Sequence, residues 1–286
     1  MSPQLLAVCL GLFSAVTLAA ANMAVKMGTD ILVGRAILSL SASILLLPAL
    51  FLVPPPDAAT WVALAIAVPA HFFYQVCLVA ALQRGELSLV FPVMRGAAPL
   101  LTAAAAFLFL GEALAPLAVC GLLVATAAVI AFAAPPPGAL LRAHPDRVAL
   151  AWALATAVGV ALYNVADARG VRIAPEPFTY ILWLFLLDSF GVATLALARR
   201  RGAFLQAVAD KWRYGVAAGV LSIFSYGSAV YAFSLVETAK VSALRETSVV
   251  FAALMGAFIL KEALGRRRIA AAAALAAGLL AMQLAG

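Results

Sequence analysis

The stretch Ser88–Leu114, SLVFPVMRGAAPLLTAAAAFLFLGEAL, decides how the chain is read. It is long enough to cross a bilayer, which takes about 20 mostly apolar residues. It holds two prolines, Pro92 and Pro99, and one arginine, Arg95, at membrane depth, and it closes in a turn at Glu112. The plan returns at Val241–Leu264, VSALRETSVVFAALMGAFILKEAL, where Arg245 falls on Arg95 and Glu262-Ala-Leu264 falls on Glu112-Ala-Leu114. A membrane span with an arginine, present twice, marks a duplicated element and the place to look for function.

Composition agrees with a chain that lives in lipid. The 286 residues are 66% hydrophobic and 11% charged, with mean hydropathy +1.10. A soluble domain carries about 45–50% apolar and about 25% charged residues. The net charge of +7 would suggest nucleic acid in a soluble protein. Here the basic residues sit in short loops between apolar runs, so membrane orientation explains them and nucleic acid is not an expected partner. Cys9, Cys77 and Cys120 all lie inside apolar runs. They have no metal-ligand spacing, and an odd, buried set is not a disulfide framework. The N-terminal run lacks a basic leader region, and a full set of spans follows it, so it is expected to be the first span rather than a secretory signal.

Ten spans are expected: Pro3–Val25, Ile31–Leu52, Ala58–Leu82, Leu87–Leu110, Leu114–Ala134, Val148–Ala166, Pro177–Ala198, Trp212–Val236, Lys240–Leu260 and Arg266–Ala285. A β-barrel would need alternating strands of about ten residues, and the sequence has none. The fold class is therefore all-α integral membrane, with ten transmembrane helices as two inverted five-helix repeats. Residues 1–134 form the first repeat, 135–147 the polar connection and 148–286 the second repeat. Besides the arginine element, Asn22-Met-Ala-Val-Lys-Met-Gly28 matches Asn164-Val-Ala-Asp-Ala-Arg-Gly170 at the end of each half's first span. Glu86 pairs with Glu237 one residue out of the main register. Five is odd, so the second half enters the membrane in the opposite sense, a device of secondary transporters that place their solute near the midplane.

Orientation follows from Lys and Arg in short loops. Fourteen of the 19 lie on one side, three on the other, and Arg95 and Arg245 lie within the membrane. That bias places the first loop in the cytoplasm and both termini outside it, in a multi-pass protein of the inner or plasma membrane.

The chain resembles the EamA-type ten-helix proteins of the drug/metabolite transporter superfamily. The matching pieces are Ala80-Ala81-Leu82, then Ser88, Val90, Pro92, the Ala98-Pro99-Leu100 step, and Phe109-Leu110-Gly111-Glu112 before Leu114. The glycine-bearing span Gly121–Ala134 follows. The second copy keeps Glu262-Ala-Leu264 but has Val249 where Pro99 would be. With ten spans and the five-plus-five repeat, the resemblance covers the whole chain. It implies a cavity lined by spans one, three, four, six, eight and nine, and a function in moving amino acids, other metabolites or toxic compounds, in most members outward. It also implies termini in the cytoplasm, against the charge count.

Arg95 lies about eight residues into its span, so ~12 Å deep at about 1.5 Å per residue. Such an arginine faces a bundle interior or a wet cavity. It is either a fork for a carboxylate or phosphate, or half of an internal ion pair, or it reaches out to the interface. Arg245 lies nearer its span's start, where reaching out to the interface is favoured. Glu246 points about 100° away from Arg245 on a helix, so the two do not share a face. Glu246 and Asp188, the acid in the middle of span seven, are candidates for proton coupling or for charge partners of an arginine. His71 and Gln75 share a helix face, with Tyr74 beside it; His71 is a proton site or a satisfied core histidine. Ser225 and Tyr226 on span eight, Tyr163-Asn164, and Asn22 complete the candidate solute-binding set. Polar aromatics and hydroxyls suit a cavity wall and equally suit helix–helix hydrogen bonds in lipid. Trp61, Trp152 and Trp212 sit at span starts, as an interfacial belt requires. Pro69, Pro92 and Pro99 are expected to interrupt or bend their helices.

No HExxH, GxSxG or P-loop is present, and Glu112 and Glu262 read as helix caps rather than paired catalytic carboxylates. The expected function is a secondary transporter, not an enzyme. It would move a small organic solute, an amino acid or another anionic or zwitterionic metabolite, outward by alternating access. A proton-coupled exporter of hydrophobic cations or drugs is the alternative. The expected partners are the solute, the lipid bilayer and protons as a candidate coupling ion, with no cofactor or metal, in a monomer or homodimer.

Overall fold

The computed structural model describes residues 2–26, 30–85, 87–133, 147–260 and 266–285. These form ten α-helices: α1 Pro3–Lys26, α2 Ile31–Leu46, α3 Ala58–Arg84, α4 Leu87–Leu110, α5 Pro116–Ala133, α6 Arg147–Ile173, α7 Pro177–Phe233, α8 Thr238–Arg245, α9 Ser248–Leu260 and α10 Arg266–Leu284. A 3-10 turn, Leu47–Phe51, follows α2, and no strand occurs among the described residues. Eight helical segments are long and apolar enough to cross a membrane, and Pro116–Phe132 is a shorter apolar helix. Large apolar side chains stand outward, such as Phe51 at 93% and Leu108 at 72% exposure. Such a surface is stable only where lipid covers it.

The chain forms two compact units, each drawn from both ends of the sequence: residues 1–72 with 166–236, and 73–165 with 237–286. α3 and α6 pass from one unit into the other.

In the first unit α7 is a helical run of 57 residues, which would extend ~85 Å if straight. It is not straight. Phe178 stacks on Tyr231 with centroids 5.4 Å apart, and Phe185 meets Tyr226 edge-on. The run therefore reverses between its two apolar stretches, Pro177–Gly202 and Trp212–Phe233, giving an antiparallel pair. The returning limb packs on α2 through Gly219, where a Cβ would meet Ser41 Cβ at 2.8 Å and the Ala42 amide nitrogen at 2.9 Å. Asp30 caps α2 by accepting from the Leu32 and Val33 amides at 2.9 and 3.2 Å, and it takes Arg200 Nε at 3.0 Å. Partial burial works against the charge on Asp30. The Val33 amide, Arg200 and the Leu32 amide together outweigh it, and the carboxyl stays below its ordinary value.

In the second unit Gly111, at φ +70°, ends α4 in a left-handed turn. The turn delivers Glu112 to the start of α8. Its Oε2 accepts from the Thr238 amide at 2.7 Å and its Oε1 from the Thr238 hydroxyl at 2.8 Å. Glu112 thus supplies from another helix the cap that Glu237, at the N-cap position, does not make with its own side chain. α5 and α10 approach backbone to backbone at Gly121 and Gly278. A Cβ on Gly278 would meet the Ala125 amide nitrogen and the Gly121 carbonyl oxygen, both at 2.7 Å. Small residues give lipid-embedded helices this close approach.

One expectation needs correction. The span expected at Lys240–Leu260 is not one helix. It divides at Glu246-Thr247 into α8 and α9, and the amides of Glu246, Thr247 and Val249 bond three residues back, to Ala243, Leu244 and Glu246, at 3.1 Å each. The Thr247 hydroxyl also donates to the Leu244 carbonyl at 2.7 Å. A side chain competing for a backbone acceptor, next to β-branched Val249 and Val250, tightens the helix locally. Conversely, α3 runs on through Pro69 and α4 through Pro92 and Pro99. The break lies in the copy that lacks the proline. Glu86, the connection 135–146 and Glu262-Ala-Leu264 lie outside the described residues, as does the side chain of Asn22.

Replacing Gly278 with valine should separate α5 from α10 and cost about 1–3 kcal/mol, as overpacking typically does. Thermal unfolding of the detergent-solubilised protein reads this as a lowered midpoint. Gly202→Ala, which meets nothing within 4 Å, should leave the midpoint in place. Equal midpoints for Gly278→Val and wild type would show that the backbones do not touch.

Candidate functional site

In the second unit a charged cluster forms where α4 faces the α8–α9 break. Arg95 Nη1 lies 3.4 Å from Glu246 Oε1, with side chains 18% and 5% exposed. Arg245, at 8% exposure, is buried in protein and does not reach out to an interface; it lies in electrostatic range of Glu246. Tyr74 of α3 and Tyr163 of α6 are likewise in range of Arg95, and their rings meet edge-on at 5.1 Å. Asn164 is 1% exposed and donates to Thr102 Oγ1 at 3.2 Å and Ser242 Oγ at 3.3 Å. Arg95, Pro99 and Thr102 occupy one face of α4 by their spacing of four and seven residues. Pro99 offers no N–H to the carbonyl of Arg95.

Three acceptor oxygens in this region are buried without a hydrogen-bond partner among the described residues: Glu246 Oε2, Asn164 Oδ1 and Thr126 Oγ1. Glu246 and Thr126 line a narrow crevice with Pro99, Ala125, Val129 and Ala243, and it is too tight to admit water. Buried acceptors left unmet cost about 1–3 kcal/mol each. Lys240, expected at the membrane edge, is buried in α8 and pairs with Glu237 at 3.3 Å, so it adds no net charge.

In the first unit Asp167 of α6 sits at 0% exposure and gathers three side chains. His71 Nε2 lies 2.8 Å from Oδ2, Tyr180 donates to Oδ1 at 2.8 Å, and Tyr226 donates to Oδ2. The His71 and Tyr226 rings also meet edge-on at 5.3 Å. Ser225 donates to the Ser14 carbonyl at 2.9 Å and ties α7 to α1. Asp188 is half-buried on α7; Gln75, buried on α3, belongs to the second unit.

The candidate residues thus fall into two groups, Arg95, Glu246, Arg245, Tyr74, Tyr163 and Asn164 in one unit, and His71 with Tyr226 in the other. Sequence reasoning missed Asp167, Tyr180, Thr102 and Ser242. For Asp167 a signal existed: it is an acid one helical turn beyond Asn164 in an apolar run, and such acids default to a functional role.

A bundle of apolar helices with charged clusters inside its units is the architecture of a multi-pass membrane protein. The chain belongs to the EamA-like transporter family, whose model matches residues 1–134 and again 147–283. It is accordingly a membrane transporter of the drug/metabolite superfamily, built from two copies of the family unit. No curated protein matches it. A crystal structure of another protein is similar over 99% of this chain and 98% of its own, at 18% identity and a TM-score of 0.78, a likeness of fold.

Removing one partner of a buried ion pair strands the other and costs about 3–5 kcal/mol. Arg95→Gln and Glu246→Gln should each destabilise the protein on that scale. The double variant should cost less than the sum of the two. Chemical unfolding of all four proteins measures the coupling, and strictly additive losses would show that the two side chains do not pair.

Proposed function

We propose that the protein is a secondary transporter of a small zwitterionic solute, an amino acid in the first instance, bound at Arg95 and Glu246. The observation that supports this most is the ion pair itself, with Glu246 Oε2 and Asn164 Oδ1 unmet beside it. A solute that displaces the pair must replace both partners, because a lone buried charge is costly. A carboxylate satisfies Arg95 and an ammonium satisfies Glu246. An anion alone would strand Glu246, and a hydrophobic cation alone would strand Arg95. Arg245, in electrostatic range of Glu246, disfavours the cation further. Tyr74 and Tyr163 supply an aromatic wall and hydroxyls for the solute's side chain. The break at Glu246-Thr247 gives the element that carries the acid freedom to bend as the solute binds. In this reading the two copies are inserted in opposite senses, five spans each, in the cytoplasmic membrane, with both termini outside as the Lys and Arg distribution directs.

The test uses an amino acid, the amine lacking its carboxylate and the acid lacking its amine. The amino acid should raise the melting temperature of the purified protein and be transported into proteoliposomes. Each analogue should bind at least tenfold more weakly, and Arg95→Gln should abolish the discrimination between the amino acid and its amine. Stabilisation by cationic drugs alone would sink the proposal in favour of cation export. A reporter fused to the C-terminus and silent on the cytoplasmic side supports the orientation, and an active one overturns it.

A further inference from the structure

We infer that the buried cluster of His71, Asp167, Tyr180 and Tyr226 is a proton-binding site that couples transport to the proton gradient. The coupling role rests on the transport reading above, whereas proton binding does not. The cluster shares no residue with the Arg95–Glu246 pair of the solute reading. Its carboxyl group is fully buried and both oxygens are engaged: Tyr180 meets Oδ1, while Tyr226 and His71 meet Oδ2. With Asp167 ionised, His71 donates from Nε2 in both charge states, because a carboxylate has no donor to offer it. The exchangeable proton therefore sits on Nδ1 of His71. Empty, the cluster is carboxylate plus neutral imidazole and carries one negative charge. Loaded, it is carboxylate plus imidazolium and is neutral. The proton comes from water as it loads and returns to water as it leaves, and no other bond changes.

The surroundings suit this assignment. The apolar span of α1, Pro3–Ala21, carries no charged side chain, and its contribution here is the Ser14 carbonyl that accepts from Ser225. On α6, Arg169 is exposed, and Arg172 donates to the carbonyls of Phe233 and Val236. Arg35 of α2 and Asp188 of α7 are each half-buried. One histidine and one carboxylate fall short of a metal-ligand set, whereas a proton needs only the imidazole. The partners of Asp167 come from α3 and from both limbs of α7, so one carboxylate clasps four helical segments. A unit charge gained or lost there changes the cost of keeping the site closed to water. Proton occupancy thus biases which arrangement of those segments is favoured.

The chain has two histidines, His71 and His144, so His144→Gln leaves a single imidazole to observe by NMR of histidine-labelled protein. In that background His71 should titrate between about pH 5 and 8, the range natural to imidazole. Asp167→Asn should move the midpoint by at least one pH unit, and Tyr226→Phe, a milder change, should move it less. A His71 signal constant across that range, or a midpoint indifferent to both substitutions, overturns the proposal. In proteoliposomes, gradient-driven uptake and solute exchange are measured together. Their ratio should fall at least tenfold in His71→Gln and Asp167→Asn, and an unchanged ratio refutes coupling. The titration needs no solute, so a wrong choice of solute leaves it intact. A wild type that transports no amino acid would sink the solute reading and not the proton site.

Discussion

A charged or hydrogen-bonding group at membrane depth has no water to turn to, and the fold is arranged around that constraint. Backbone groups meet it by being helical almost throughout. Side chains meet it by pairing: Arg95 with Glu246, Lys240 with Glu237, and Asp167 with His71 and two tyrosines. Each pairing fixes a helix contact that apolar packing alone would leave free to slide, since lipid tails are as apolar as leucine. The pairing is incomplete at Glu246 Oε2 and Asn164 Oδ1, which are buried without a hydrogen-bond partner among the described residues.

The helix contacts themselves are made by small residues. Gly121 on Gly278 and Gly219 on Ser41 bring backbones together, and alanines such as Ala149 and Ala153 are wholly buried. Large side chains stand on both sides of this packing: Tyr180, Phe233, Leu64 and Leu184 are fully buried, while Phe51, Leu108 and Phe109 stand outward. Polar cross-links between segments, such as Glu112 on Thr238, supply the register that small, smooth surfaces do not.

Much of the helical pattern was legible because apolar runs of membrane length leave few alternatives. The runs starting at Pro3, Ile31, Ala58, Val148 and Arg266 need no knowledge of packing. The break at Glu246-Thr247 was not legible by the rule that proline breaks helices. It arises from a threonine hydroxyl competing for Leu244, and that depends on rotamer and packing. The reversal inside α7 was expected from its polar middle, Arg199-Arg200-Arg201 to Lys211, yet the chain stays helical around it. Among site residues, Arg95 and Glu246 could be named from charge in an apolar setting, and Glu246 was among the charge partners expected for an arginine. Asp167 escaped because its repeat-related position holds Val25, so a search for matched pairs passed over it.

The reversal in α7 also bears on how the protein enters the membrane. The two apolar limbs are separated only by the segment 203–211, and Phe178 and Tyr231 already stack where the limbs' far ends meet. Such a pair can partition from the translocon as a single helical hairpin. Its two limbs are then joined from the outset by the basic bend, Arg199 through Lys211, rather than having to find each other in the bilayer.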